Sequence, residues 1–257
     1  MKTEKVQQEK VQQEKVQQEK MYKAMSPYAP IIHRHKVATW YIRALRKARW
    51  MRNAYQRPKN LSIITVSTYP KRSLFEQSLV YLGITDYVVL NEPFNGSYRN
   101  TLKIQWILNY LNSGQCKTKY LLYCDARDAI LKDDPQLALS LFKNTGKKLL
   151  FNSTSTKRAL NCMRDKWRWM RKVAPLNGRY LNAGAFIGEV NFIKTVFEKA
   201  MEYIDPNELE VRSSIADCSQ LPEFPKGTSD QVIFRYIFDQ FYPDMDIDYG
   251  NRIFYRN

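Results

Sequence analysis

The chain has 257 residues, 44% of them hydrophobic and 26% charged, and a net charge of +16, which is enough apolar content to build the core of one ordinary domain. No apolar run is long enough to span a bilayer, and Cys116, Cys124, Cys162 and Cys218 show neither C-x-x-C spacing nor a disulfide framework, so zinc-ribbon and disulfide-stapled classes are excluded. MKTEKVQQEK at the start lacks the apolar core of a signal peptide, and the expected location is cytoplasmic with reduced thiols.

The charge is concentrated at the amino-terminal end. Residues 1–58 carry 14 Lys+Arg against 4 Glu, a net +10, leaving 27 against 21 for the remainder. Residues 4–20 repeat EKVQQ with a five-residue period, so Val6, Val11 and Val16 step about 140° around a helix and form no apolar stripe. Residues 1–20 therefore read as low-complexity sequence. SPYAP, Ser26 to Pro30, interrupts any helix. Val37, Trp40, Tyr41, Ala44, Leu45, Ala48, Met51 and Tyr55 then recur at helical spacing, with Arg43, Arg46, Lys47, Arg49 and Arg52 filling much of the other face. Residues 21–58 are expected to form a basic amphipathic helical arm. Such a helix packs on the main domain, meets an anionic surface or partner groove, or binds a polyanion such as nucleic acid. The two histidines, His33 and His35, fall within it.

The main domain is expected at residues 59–257. LSIITVS reads as a strand, Ser73 to Leu82 as a helix, YVVL as a strand and Asn100 to Leu111 as a helix. Tyr120 to Cys124 reads as a strand buried on both faces, followed by an acidic turn, a helix over Pro135 to Lys143 and the strand KKLLFN. Phe192 to Tyr203 and Gln231 to Phe241 read as helices, and MDIDYGNRIFY as a short strand-like end. This alternation predicts an α/β fold, a mostly parallel sheet with helices on its faces.

Asp125 lies at the carboxyl end of the buried strand, where open α/β sheets bind ligands. The DARD turn puts Asp125 and Asp128 three residues apart, so that both carboxylates can reach one hard cation, Mg²⁺ or Mn²⁺, bridging to phosphates. The competing reading is that these acids cap the turn and pair with Arg127 or a nearby Lys. RYLNAGAFIGEV offers small residues at Ala183, Gly184, Ala185 and Gly188 that permit close backbone approach, and Asn182 supplies a donor and an acceptor. No G-x-x-x-x-G-K-[ST] or G-x-G-x-x-G is present, and D-x-x-D is one residue too long for an aspartyl-phosphate phosphohydrolase.

In one order, ITVSTYP, TLKIQWIL, YLLYCDARDAIL, KKLLFNS, YLNAGAFIG, SDQVIF and IDYGNRIFYRN resemble the glycosyltransferase domain of the multifunctional procollagen lysyl hydroxylases, over roughly Asn60 to Asn257. That family is of the GT-A type and depends on nucleotide sugars. The resemblance implies a GT-A-like Rossmann-type sheet and transfer of a hexose from UDP-galactose or UDP-glucose, with Mn²⁺ or Mg²⁺, to an acceptor that the sequence does not identify. It implies Asp125 and Asp128 as metal ligands, and Thr65, Val66, Ser67, Lys103, Asp125 and Ala126 along the nucleotide. Tyr69, Thr68 and Tyr98 would extend the base-binding wall. Asn182 would face the donor sugar in a small-residue turn, and Asp230 would act in catalysis; an ordinary helix cap is the alternative for Asp230. Lys157 to Arg179, with Trp167 and Trp169, would be an acceptor-side or lid loop.

Two departures bear on activity. The family has glycine where this chain has Ala185, and its third metal ligand is a histidine beyond the strand resembling RIFYRN, whereas this sequence ends at Asn257. Asp246, Asp248 or water would then complete a weak site, or the domain would be an inactive relative that binds polyanions through its basic arm.

Overall fold

A computed structural model describes residues 29–33, 54–94, 96, 98–154, 164–173, 180–207 and 229–255. In chain order the elements are β1 (Ile31–His33), β2 (Leu61–Val66), α1 (Leu74–Tyr81), β3 (Val88–Leu90), α2 (Asn100–Asn112), β4 (Tyr120–Cys124), β5 (Ala129–Leu131) and α3 (Pro135–Lys143). There follow β6 (Leu149–Thr154), α4 (Arg164–Val173), β7 (Tyr180–Glu189), α5 (Val190–Met201), α6 (Asp230–Phe241), β8 (Met245–Ile247) and β9 (Phe254–Tyr255).

Six strands form one sheet in the order β3-β2-β4-β7-β6-β8. All run the same way except β7, which is antiparallel to both of its neighbours, β4 and β6. The fold is thus α/β with a mostly parallel sheet flanked by helices, compatible with a Rossmann-like arrangement. Pleating sorts the apolar runs between two cores. Ile64, Leu121, Tyr123, Phe151 and Phe186 face α2, α5 and α6, while Leu61, Ile63, Leu122, Leu150 and Ile187 face α1 and α3. Because both faces are covered, these strands read as continuous apolar runs instead of alternating ones.

Local chemistry sets the helix starts. Ser73 Oγ accepts from Glu76 N at 3.3 Å while Glu76 accepts from Ser73 N at 2.8 Å, a reciprocal capping box that opens α1. Asp134 accepts from Gln136 N and Pro135 occupies the first turn of α3.

Three expectations are revised. RYLNAGAFIGEV is not a turn: Tyr180–Glu189 is a ten-residue strand at the centre of the sheet. Second, residues 21–58 are not wholly an arm outside the domain. Ile31–His33 is a fully buried strand, antiparallel to β5 and parallel to β9, making a second sheet of order β5-β1-β9. Its short length, three residues, gave no periodic signal. The predicted helix over Val37 to Tyr55 lies almost entirely outside the described residues, as do the EKVQQ repeat, His35 and the side chain of Trp167. Third, part of the basic segment is the helix α4, and Trp169 packs edge-on to Phe238 at 5.7 Å and Tyr242 at 5.3 Å, so that this tryptophan is a packing residue. Among the described residues no helix is long and apolar enough to cross a membrane.

Candidate metal centre and its adjoining pocket

The buried strand β4 delivers Asp125 to the carboxyl edge of the sheet, and the following turn carries Asp128 back beside it before β5 begins. β5 is the antiparallel partner of β1, with Ala129 opposite His33. The same turn that presents the acids therefore holds the strand that presents the histidine. His33 Nε2 lies 3.0 Å from Asp128 Oδ1 and 3.5 Å from Asp125 Oδ2. His33, Asp125 and Asp128 each offer one ligand atom, all within 4.8 Å of one another.

The third candidate ligand of this group thus comes from the amino-terminal side of the chain and not from the segment after β9. Asp246 and Asp248, proposed as substitutes, are engaged elsewhere. Asp246 pairs with Lys147 Nζ at 2.9 Å, and Asp248 accepts from the backbone N–H groups of Arg252, Ile253 and Phe254, closing the turn into β9.

Backbone geometry makes room for this convergence. In the β6–β7 ladder Phe151 faces Phe186 but Asn152 faces Asn182, so Ala183, Gly184 and Ala185 form a bulge. Gly184 O accepts from Asp125 N at 2.7 Å. A Cβ on Gly184 would overlap the His33 ring and lie 2.5 Å from Asp125 Oδ2, so glycine is required for close approach. Asn182 braces the bulge: Oδ1 accepts from Gly184 N at 3.1 Å and Nδ2 donates to Gln231 at 2.8 Å. Ala185 is buried in the core on the α1 and α3 side of the sheet and does not line the cavity beside the trio.

The two oxygens of Asp125 have different surroundings. Oδ1 accepts from Tyr123 OH at 2.7 Å and from Lys103 Nζ at 3.4 Å, whereas Oδ2 faces His33. Burial opposes ionisation of Asp125, but the Lys103 ammonium and the His33 contact outweigh it and hold the carboxyl well below the usual range. Lys103 is buried, which excludes a solvated helix lysine. It also donates to Ala183 O at 3.2 Å and forms an ion pair, without hydrogen-bond alignment, with Asp230 Oδ2. Burial disfavours its charge, yet Asp125 and Asp230 raise its pKa above the ordinary lysine value. Asp230 is buried as well, and burial raises its pKa despite Lys103. It begins α6 and is not the residue that caps it, because that position belongs to Ser229.

Burial lowers the pKa of His33, but Asp125 and Asp128 more than reverse this. On the other side of the ring, Asn152 Nδ2 lies 2.9 Å from His33 Nδ1.

Beside the trio opens a cavity of about 410 Å³, lined by Val66, Ser67, Thr68, Tyr69, Tyr98, Asn100, Tyr123, Asp125, Ala126, Arg127 and Asp128. Tyr69 and Tyr98 are among the large apolar side chains left exposed among the described residues, at 46% and 39%, and Arg127 lies over the Tyr69 ring at 5.1 Å. Of the residues expected along a nucleotide, Val66, Ser67, Asp125 and Ala126 line this cavity. Thr65 and Lys103 do not: Thr65 is fully buried, with its hydroxyl donating to Cys124 O at 2.8 Å, and Lys103 lies behind Asp125. Asn182 and Asp230, expected to act on the sugar, are likewise not lining residues. Sequence reasoning missed His33, Asn152 and Tyr123 as contributors. The signal for His33 was weak: an apolar doublet between Pro30 and a basic run.

No protein-family model matches the chain, and no curated protein matches it.

Proposed function

We propose that the chain is a metal-dependent glycosyltransferase of the GT-A type, moving a hexose from UDP-galactose or UDP-glucose to an acceptor. The observation that carries this reading is the convergence of His33, Asp125 and Asp128 beside a cavity on the carboxyl edge of β2 and β4 that the two acids line. The ordered resemblance to the procollagen lysyl hydroxylase glycosyltransferase domain supports it further, as does the late position of Asp230 beside Lys103.

The donor set fits a divalent transition ion. One imidazole nitrogen and two carboxylates suit Mn²⁺ better than Mg²⁺, which prefers an all-oxygen octahedron. Such an ion supplies charge neutralisation at the diphosphate leaving group. The protein's own residues position that diphosphate. Asp125 and Asp128 hold the cation side, Val66 and Ser67 line the cavity from the end of β2, and Tyr69 and Tyr98 offer aromatic faces to the base. Arg127 puts a positive charge on the cavity wall. Lys103 keeps Asp125 ionised and oriented without occupying the cavity.

Thermal unfolding with UDP tests the reading: stabilisation should be much larger with Mn²⁺ than with EDTA, and Asp125→Asn or Asp128→Asn should remove the metal-dependent part. At a hundredfold excess over Kd the shift corresponds to about 2.7 kcal/mol. Equal UDP shifts in variants and parent would refute it. A donor hydrolysis screen would then identify the hexose without knowledge of the acceptor.

A further inference from the structure

The side chain of Asn152 is fully buried at the bulge between β6 and β7, where it meets two partners with fixed demands. Its Oδ1 accepts from the backbone N–H of Ser153 at 2.7 Å. A backbone N–H can only donate, so the amide cannot be turned over without setting two donors against each other. The other end of the amide, the Nδ2 donor, is therefore directed at His33 Nδ1 at 2.9 Å. A ring nitrogen facing a donor must be the unprotonated one. In the neutral ring the proton then resides on Nε2, 3.0 Å from Asp128 Oδ1, which accepts it.

We propose that Asn152 is a positioning residue that sets the tautomer of His33, holding the proton on Nε2 against Asp128, so that the metal-free centre is closed by an internal hydrogen bond. The consequence for metal binding rests on the glycosyltransferase reading above; the tautomer itself does not. Ligation through Nε2 requires the ring proton to be on Nδ1, where metal-bound histidines ordinarily donate to a carboxylate or carbonyl. Asn152 offers no such acceptor in its fixed orientation. A cation entering the trio must accordingly exchange the His33–Asp128 hydrogen bond and force the Asn152 amide away from Ser153. This makes the free protein a weak metal binder although three ligand groups already stand together.

Asn152→Asp reverses the logic with little change of shape. One carboxylate oxygen can keep accepting from Ser153 N–H while the other accepts from Nδ1–H, freeing Nε2. The test is ¹⁵N NMR of histidine-labelled full-length protein in EDTA, at a pH where the ring carries one proton. His35→Gln leaves a single imidazole, because the chain has two histidines. Two- and three-bond nitrogen–proton couplings should report Nε2–H in the Asn152 protein and protonated Nδ1 in Asn152→Asp. Mn²⁺ titration without nucleotide should show the variant binding roughly tenfold or more tightly, in the range usual for partners of metal-bound histidines. Nδ1–H in the parent would overturn the proposal, as would a variant in which the proton stays on Nε2. If neither protein binds Mn²⁺, the metal reading fails while the couplings still decide the role of Asn152. Should the variant not fold, the parent tautomer decides alone.

Discussion

The two sheets contribute to the centre in different ways. The six-stranded sheet supplies its acids locally: a buried strand ends, a turn follows, and Asp125 and Asp128 emerge three residues apart. The three-stranded sheet supplies one residue, His33, across 95 positions of sequence to Asp128, and does so only because β5 and β9 hold β1 between them. A site built on a turn tolerates change in distant segments. A site completed by a small sheet of strands two or three residues long depends on every element that docks there. The pairing of Ala129 with His33 couples the two, since the strand that follows the acids is the strand that fixes the histidine.

The largest effect is expected behind the acids. Lys103→Met removes the cation between Asp125 and Asp230 and leaves a buried carboxylate without its partner, a loss of about 3–5 kcal/mol. Chemical denaturation would measure it, and a loss below about 1 kcal/mol would show that the pair is solvated. Asp230→Asn combined with Lys103→Met should recover part of the loss.

Next comes the joint itself. Gly184→Ala sets a methyl group against the His33 ring and Asp125, an overpacking cost of about 1–3 kcal/mol. It should weaken Mn²⁺ binding in the presence of UDP as strongly as His33→Ala does. Full metal binding in Gly184→Ala would mean that β1 does not seat against the bulge.

The pH response distinguishes the acids by sign. The pKa of Asp125 is depressed in the folded protein, so its contribution to stability is intact above the ordinary carboxylate value of 3.8 and is lost as pH falls below it. Asp230 is shifted upward, so its contribution is greatest at low pH and is lost as pH rises through its folded pKa. Urea unfolding in steps from pH 3 to 7 should therefore show a shallower acid limb for Asp125→Asn and a steeper one for Asp230→Asn; identical limbs would contradict the assigned charge states.

Smaller still are changes confined to one region. Tyr69→Ala and Tyr98→Ala should each weaken UDP binding by about 1–3 kcal/mol if a base stacks there, with Mn²⁺ affinity unchanged. Ser73→Ala removes the α1 capping box, costs about 1 kcal/mol and should leave both ligands' affinities intact.

The same division explains what was legible in the sequence. β4, its acids and helices such as Pro135–Lys143 were legible because apolar runs, caps and spacing are local signals. β7 was misread because Gly184 and its small neighbours suggest a turn, whereas they form a bulge that a ten-residue strand tolerates by sheet pairing on both sides. His33 was invisible because three residues carry no periodicity and the basic run after it drew the segment into an arm. A test of the basic arm must therefore spare β1: deleting residues 1–58 would remove His33 along with the charge, whereas replacing only the arginines between residues 43 and 52 leaves β1 in place.

The central claim is that His33 completes the centre formed by Asp125 and Asp128, and pulsed electron paramagnetic resonance of Mn²⁺ bound to the full chain with UDP tests it most directly. The account predicts modulation from one directly coordinated imidazole nitrogen, lost in His33→Ala and retained in His35→Gln. Bound Mn²⁺ without nitrogen coupling, or coupling that survives His33→Ala, would contradict it.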